Sequence, residues 1–247
     1  MIDEETLIVI PARYGSSRLP GKVLELIHGY PMIYWVAKRV YQAKLAPLLV
    51  ATDTLNVYDI CKKYDIPVIL TSPDLKNGTE RVFEVTKNVK GYKRFINIQG
   101  DEPLINLRVI KDVMDKSKIN AFNTAISKIS CEQPNNVSEV KVVLDKHHNI
   151  LYASRSNIPY FREKSDLDRY KIHGIYCYTR EVLEEYISAE IGPLEKAESV
   201  EQLRCIESNI PIYGVLTEHT ERSVDTKVDL EYMRNQALSK FVSERLI

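Results

Sequence analysis

Apolar positions follow two alternating rhythms over the first hundred residues. Leu7-Ile8-Val9-Ile10, bounded by acidic residues and by Pro11, reads as a buried strand, and Leu48-Leu49-Val50-Ala51, Pro67-Val68-Ile69-Leu70 and Phe95-Ile96-Asn97-Ile98 repeat the pattern. The intervening segments have helical spacing. Residues 31–43 carry Met32, Ile33, Val36 and Val40 on one stripe, and residues 55–63 and 79–89 supply a second and a third helix. Strand and helix in alternation predict an α/β chain with a mostly parallel sheet. Near residue 120 the rhythm changes. Val140–Leu144 and Ile150–Tyr152, separated by a turn at His147-His148-Asn149, predict antiparallel strands. Residues 155–170 are polar, contain Pro159 and read as a loop. Gly174–Tyr178 and Ile210–Leu216 read as strands, 193–208 as one helix opened by Pro193, and 226–245 as a closing helix.

Composition narrows the function. Lys plus Arg and Asp plus Glu both number 34 among 247 residues, so the formal net charge is zero. A nucleic-acid binder or a polybasic membrane-surface protein carries a basic excess, and neither is expected here. The N-terminus is acidic, without a signal peptide's basic and apolar regions, and no run approaches the roughly 18 apolar residues of a membrane span. Cys61, Cys131, Cys177 and Cys205 are scattered, with no CxxC pair. A cytoplasmic chain is the expectation.

Chemistry concentrates after the first strand. Residues 11–22 hold Gly15 and Gly21, Ser16 and Ser17, and the cations Arg13, Arg18 and Lys22. Ligands of open α/β sheets bind outside the carboxyl ends of strands, glycine and serine let backbone amides approach an anion, and the cations match a polyphosphate. The loop is not a Walker A motif: five residues separate its glycines and Val23 follows Lys22. Magnesium ligands must therefore come from elsewhere, and Asp101, just past the fourth strand, and Asp225 offer hard oxygens. Either Asp taken alone is more often a turn residue or a helix cap, and Asp225 could simply start the last helix.

The blocks IPARYGSSRLPGK (10–22), ATD (51–53), NGTER (77–81), NIQGDEP (97–103), VKVVLD (140–145), LYASR (151–155), IP (158–159), GIY (174–176), EQLR (201–204) and VDT (224–226) occur in that order. Together they resemble the CMP-Kdo synthetases, the 3-deoxy-manno-octulosonate cytidylyltransferases, over residues 6 to 234. The resemblance implies a Rossmann-like nucleotidyltransferase sheet with a smaller antiparallel dimerisation region, a single domain over 1–247 in which 134–190 forms the dimerising and sugar-binding part, and a homodimer. It implies transfer of CMP from CTP to the anomeric hydroxyl of a 3-deoxy-2-keto sugar acid, with release of pyrophosphate. By resemblance Arg13, Arg18 and Lys22 hold the triphosphate, while Pro11, Ala12, Ser16, Ser17, Gly78, Thr79, Arg81 and Gln99 serve the nucleotide. Asp101 and Asp225 bind one or two Mg2+ ions beside Lys22 and Arg13.

Arg155, Arg162, Tyr176, Glu201 and Gln202 resemble the sugar site, where an arginine suits the carboxylate. Glu198, Glu201 and Gln202 share one face if 193–208 is a single helix. One departure stands out. The family places a His two residues before the Gly of Gly174-Ile175-Tyr176. Ile172 fills that position here, and His173 is expected on the opposite face of the strand. That exchange points to a sugar acid lacking or modifying one hydroxyl. Other readings are a nucleotidyltransferase acting on a sugar or polyol phosphate, and a non-catalytic nucleotide-binding protein.

Overall fold

β1 (Thr6–Ala12) is buried at all seven positions, as a strand flanked on both edges and covered on both faces must be. A one-turn 3-10 helix (Lys22–Leu24) follows, then the two-stranded antiparallel ribbon of β2 (Leu26–Ile27) and β3 (Tyr30–Pro31), and α1 (Met32–Ala43). The chain continues through β4 (Leu48–Thr52), α2 (Leu55–Lys63), β5 (Val68–Leu70), α3 (Gly78–Asn88), β6 (Arg94–Ile98) and α4 (Leu107–Lys116). The structure is a computed structural model that describes residues 2–15, 19–129, 135–163, 167–218 and 222–242. It divides into two compact units, residues 1–111 with 221–247, and residues 112–220.

In the first unit β1 pairs in parallel with β4 on one side and β6 on the other, and β5 extends the sheet beyond β4. Successive strands therefore step outward from β1 in one direction and then jump back to its other side. The crevice beyond the carboxyl ends of β1 and β6 is the topological switch point, where open α/β sheets bind ligands. Thr54 and Asn77 cap α2 and α3 by accepting the amides of Val57 and Glu80, so each βα connection ends in a defined turn.

The second unit contains β7 (Phe122–Ile129), β8 (Lys141–Leu144), β9 (Ile150–Ser154), β10 (Arg169–Thr179), α5 (Arg180–Ser188), α6 (Pro193–Glu198), α7 (Gln202–Glu207) and β11 (Ile212–Leu216). β7 pairs in parallel with β11 and antiparallel with β10; β10 pairs with β8 and β8 with β9, both antiparallel. The expected turn at 147–149 joins β8 to β9. The Asp145 carboxylate accepts the amides of His147 and Asn149 there, and His148 adopts φ 64°. α4, α5 and β7 are not among the elements expected from the sequence. β7 is buried on both faces, yet it carries Asn123, Thr124 and Ser127. These polar residues are accommodated by hydrogen bonds: the Asn123 amide donates to the carbonyls of Lys118, Ala121 and Cys177.

The chain then returns to the first unit as α8 (Lys227–Arg234) and α9 (Leu238–Val242). Val224, Leu230, Met233 and Phe241 pack with Leu19, Ile27, Met32, Trp35 and Leu104 in one buried cluster. Two expected helices are each broken in two. The Gln236 carbonyl, which would continue α8, instead bonds to His28 Nε2 at 2.8 Å. Residues 243–247, assigned in part to that helix, lie outside the described residues. Between α6 and α7, Ser199 turns into the left-handed region at φ 51° and Val200 is driven inward to 2% exposure. Burial of one valine thereby ends a helix that the polar pattern would continue.

Candidate active site

The switch-point crevice gathers residues from three distant parts of the chain. β1 delivers Pro11 and the buried Ala12, and the exposed Arg13 follows, donating from Nη1 to the Lys76 carbonyl at 2.9 Å. Gly21 at φ 69° closes the loop by donating its amide to the Tyr14 carbonyl. A left-handed residue is needed at that point, and a Cβ there would meet the Tyr14 ring at 3.1 Å. Ser16, Ser17 and Arg18 lie outside the described residues. Directly after Gly21, Lys22 turns inward. Its Nζ donates to Asp101 Oδ2 at 2.5 Å, Asp225 Oδ1 at 3.0 Å and the Val224 carbonyl at 3.0 Å, which uses all three protons of the ammonium. The Val224 amide closes the ring by donating to the Asp101 carbonyl. Burial disfavours the charge on Lys22, but the two carboxylates outweigh burial and hold its pKa above the ordinary lysine value. Two aspartates 124 positions apart in the sequence are thus joined by one lysine.

Beside this cluster the N-terminus of α3 presses against the sheet. A Cβ on Gly78 would come within 3.1 Å of Gln99 Nε2, 3.3 Å of Pro11 and 3.4 Å of Asn97 Nδ2, so glycine permits the close approach. Thr79 is fully buried and Arg81 is 1% exposed. Arg81 Nη1 donates to Thr71 Oγ1 at 2.5 Å and to the Ser72 carbonyl at 3.3 Å, and Nη2 donates to Asp53 Oδ2 at 3.1 Å. Burial and the nearby Arg13 charge lower the Arg81 pKa, and Asp53 opposes them. Gln99 Nε2 donates to Asn97 Oδ1. The buried Asn97 Nδ2 finds no acceptor among the described residues, an amide proton pair of the kind a ligand satisfies.

The second unit holds a separate set. Tyr176 on β10 and Gln202 at the start of α7 are buried, and Tyr186 donates to Glu201 Oε2 at 3.5 Å. Burial, reinforced by Glu201, pushes the Tyr176 phenol well above its ordinary pKa. Tyr176 therefore stays a neutral donor. The break between α6 and α7 separates Glu198 from this set. Its carboxylate accepts from Ser154 Oγ at 2.8 and 2.9 Å and from the Arg155 amide at 2.6 Å, so the single-helix face of Glu198, Glu201 and Gln202 does not form. Arg155 is itself occupied by main chain: Nε donates to the Glu198 carbonyl, Nη1 to Val137 and Nη2 to Ser199. Arg162 is exposed.

β10 accommodates two extra residues between Ile172, opposite Ile126, and Tyr176, opposite Thr124. Ile126 and Thr124 are two apart, so Ile172 and Tyr176 share a face, as the strand alternation predicts. His173 faces the other way, 8% exposed, with Nε2 at 2.7 Å from Ser127 Oγ.

A cytidylyltransferase family match spans residues 7–215. The chain belongs to the cytidylyltransferases. It is 40% identical over 234 residues to the 3-deoxy-manno-octulosonate cytidylyltransferase of Fusobacterium nucleatum, covering 92% of this chain and 94% of that one. It is 37% identical over 231 residues to the 8-amino-3,8-dideoxy-manno-octulosonate cytidylyltransferase of Shewanella pealeana, covering 90% and 94%. Among solved structures, a CMP:2-keto-3-deoxy-manno-octonic acid synthetase complexed with CTP matches with a TM-score of 0.86 at 39% identity, over 94% of this chain and 97% of that one. At this similarity the chain is placed among the CMP-Kdo synthetases.

For this cytidylyltransferase a divalent cation is the implied cofactor, and the donor set fits it. Asp101 and Asp225 offer hard carboxylate oxygens already drawn onto one cationic nitrogen, and Mg2+ takes one or two carboxylates together with substrate phosphates. Among the described residues no group of three or more metal-binding side chains occurs. Sequence reasoning gave no role to Asp53 or Asn97. Both follow the signal that singled out Asp101, a polar side chain at the carboxyl end of a central strand.

Proposed function

We propose that this cytidylyltransferase transfers CMP from CTP to the anomeric hydroxyl of a 3-deoxy-2-keto sugar acid, releasing pyrophosphate. The convergence of Lys22, Asp101 and Asp225 at the switch point supports this reading most directly. A bond forms from the anomeric oxygen to the α-phosphorus as the hydroxyl proton is lost to solvent, and the bond from the α-phosphorus to the bridging oxygen of the pyrophosphate breaks, its electron pair leaving with the pyrophosphate. Charge accumulates on the leaving pyrophosphate, and cations must neutralise it. Arg13, exposed after β1, and Lys22, at the end of the glycine-closed loop, are the described cations for that task, with Ser16, Ser17 and Arg18 as further loop ligands. Asp101 and Asp225 would hold Mg2+, which when bound supplies Lewis-acid stabilisation of the phosphoryl oxygens and lowers the pKa of a coordinated hydroxyl. Gly78 and Gln99 are read as the nucleotide side, with the buried Thr79 and Arg81 behind them. Tyr176, Glu201 and Gln202 offer neutral and acidic hydrogen-bonding partners to sugar hydroxyls. Arg162 is a candidate partner for the sugar carboxylate, whereas Arg155, bonded to the carbonyls of Val137, Ser138, Glu198 and Ser199, serves chiefly to shape the loop that bears it. The reading includes a homodimer formed through residues 134–190.

A second reading concerns the sugar. Ile172 sits half-buried on the Tyr176 face, an apolar contact favouring an acid with one hydroxyl absent or replaced. Pyrophosphate release decides both. CTP, Mg2+ and a panel of acids including 3-deoxy-manno-octulosonate and its 8-amino-3,8-dideoxy form are supplied, with sugar 1-phosphates and polyol phosphates as controls. Turnover only with keto-deoxy acids is expected. Turnover with the phosphates instead overturns the first reading, and a clear preference for unmodified 3-deoxy-manno-octulosonate overturns the second.

A further inference from the structure

Asp53 stands just past the carboxyl end of β4 and immediately before α2. An aspartate at that place ordinarily caps the helix. Here Thr54 already does so, accepting the Val57 amide at 3.3 Å. The Asp53 carboxylate is left for tertiary contacts and makes two. Oδ1 accepts the Tyr14 amide at 3.1 Å, at the root of the loop after β1, and Oδ2 accepts from Arg81 Nη2 at 3.1 Å. The Arg81 guanidinium continues the connection to Thr71, whose amide and hydroxyl both donate to the Thr52 carbonyl. One carboxylate and one guanidinium thus tie together the exits of β1, β4 and β5. The pair is secluded: the Arg81 side chain is 1% exposed and that of Asp53 13%. It also lies where Arg13 and Arg81 repel each other, and Asp53 is the acidic side chain bonded between the loop root and Arg81.

We propose that Asp53 is a positioning residue for nucleotide binding, its carboxylate fixing the loop root at Tyr14 against Arg81 so that the cationic loop and the α3 terminus stand in register for CTP. The proposal rests on the cytidylyl-transfer reading above. Asp53 touches no reacting atom. Its effect falls on CTP, because both of its partners belong to the nucleotide side.

The test compares Asp53→Asn, which keeps an acceptor for the Tyr14 amide but removes the charge, with Asp53→Ala, which removes both. CTP affinity is read by calorimetry, and KM and kcat by pyrophosphate release. Asp53→Ala removes the carboxylate from the buried Arg81 and frees the loop root, and is expected to weaken CTP by roughly 10- to 100-fold, with Asp53→Asn in between. The KM for the sugar acid should stay within about twofold of wild type, a split that general destabilisation does not produce. CTP affinity unchanged in both folded variants overturns the proposal, as does an equal rise in both KM values. If neither variant folds, Thr71→Val removes the hydroxyl that accepts from Arg81 and donates to the Thr52 carbonyl, loosening the same tie between Arg81 and the β4 exit while the Thr71 amide still bonds Thr52. A several-fold weaker CTP affinity in that variant supports the proposal, and unchanged affinity overturns it. Wild-type protein that binds CTP but releases no pyrophosphate with any sugar acid defeats the functional reading alone, since the calorimetric comparison still decides the role of Asp53.

Discussion

At the scale of single residues, Lys22 concentrates the most chemistry in the smallest space. Its ammonium lies between two carboxylates that would otherwise repel each other across a partly buried crevice. Lys22→Met retains the apolar stem and removes the charge. The expected result is a fall in kcat/KM for CTP of about a hundred- to a thousandfold, the magnitude seen when a preorganised electrostatic contact is lost. Steady-state pyrophosphate release measures it, and an activity within a few-fold of wild type would show that the lysine is only a structural tie. Arg81 and Arg155 show the limit of reading residues one by one. Each is a cation in a motif that suggests ligand binding, yet the structure gives their guanidinium protons to partners within the fold. An arginine's five donors are equally suited to carbonyls and to carboxylates, so residue type alone leaves that choice open.

At the scale of elements, α8 carries Asp225 to its place. Thr226 caps the helix and Asp229 completes a capping box, its Oδ2 accepting the amides of Asp225 and Thr226 and the Thr226 hydroxyl. Burial disfavours the Asp229 charge, but the Thr226 and Asp225 bonds, with Arg222, hold its pKa below the ordinary value of 3.8. A depressed folded-state pKa contributes stability that is complete above the unfolded value and lost as the pH falls below it. Asp229→Asn should therefore lower stability at neutral pH by about 0.5–2 kcal/mol, the range for a lost cap. It should also flatten the acid limb of the stability curve below about pH 4. Urea unfolding at pH 7 and at pH 3 checks both; a mutational loss of equal size at the two values contradicts the linkage. The strands of the first unit were legible because a run such as Leu7–Ile10 has only one comfortable environment. β7 was not, since Asn123, Thr124 and Ser127 look like surface residues until their buried hydrogen-bond partners are known. The breaks at Ser199 and Gln236 were equally hidden, because a buried Val200 and a carbonyl captured by His28 are decided by neighbours far along the chain.

At the scale of the whole molecule, association is the open expectation. Within 134–190 the second unit exposes apolar side chains at Val137, Leu151, Tyr160 and Leu167, and these are where an interface through that region would be probed. Sedimentation equilibrium is expected to give twice the mass of one chain. Leu151→Glu, on the exposed face of β9, should shift the protein toward the monomer, and a monomeric wild type would remove residues 134–190 as an interface.

The sequence by itself determined the class of fold and the inventory of chemistry. Apolar periodicity is a local property, and so is a loop dense in glycine, serine and cations at the end of a strand; both can be read without knowing what they touch. Only the tertiary structure decided which of those residues meet. Lys22 lies 79 residues from Asp101 and 203 from Asp225, and nothing local fixes such a triangle. The order of strands does, by turning the exits of β1 and β6 into one crevice, together with the burial of Val224, Leu230 and Met233, which draws the last helices back beside it.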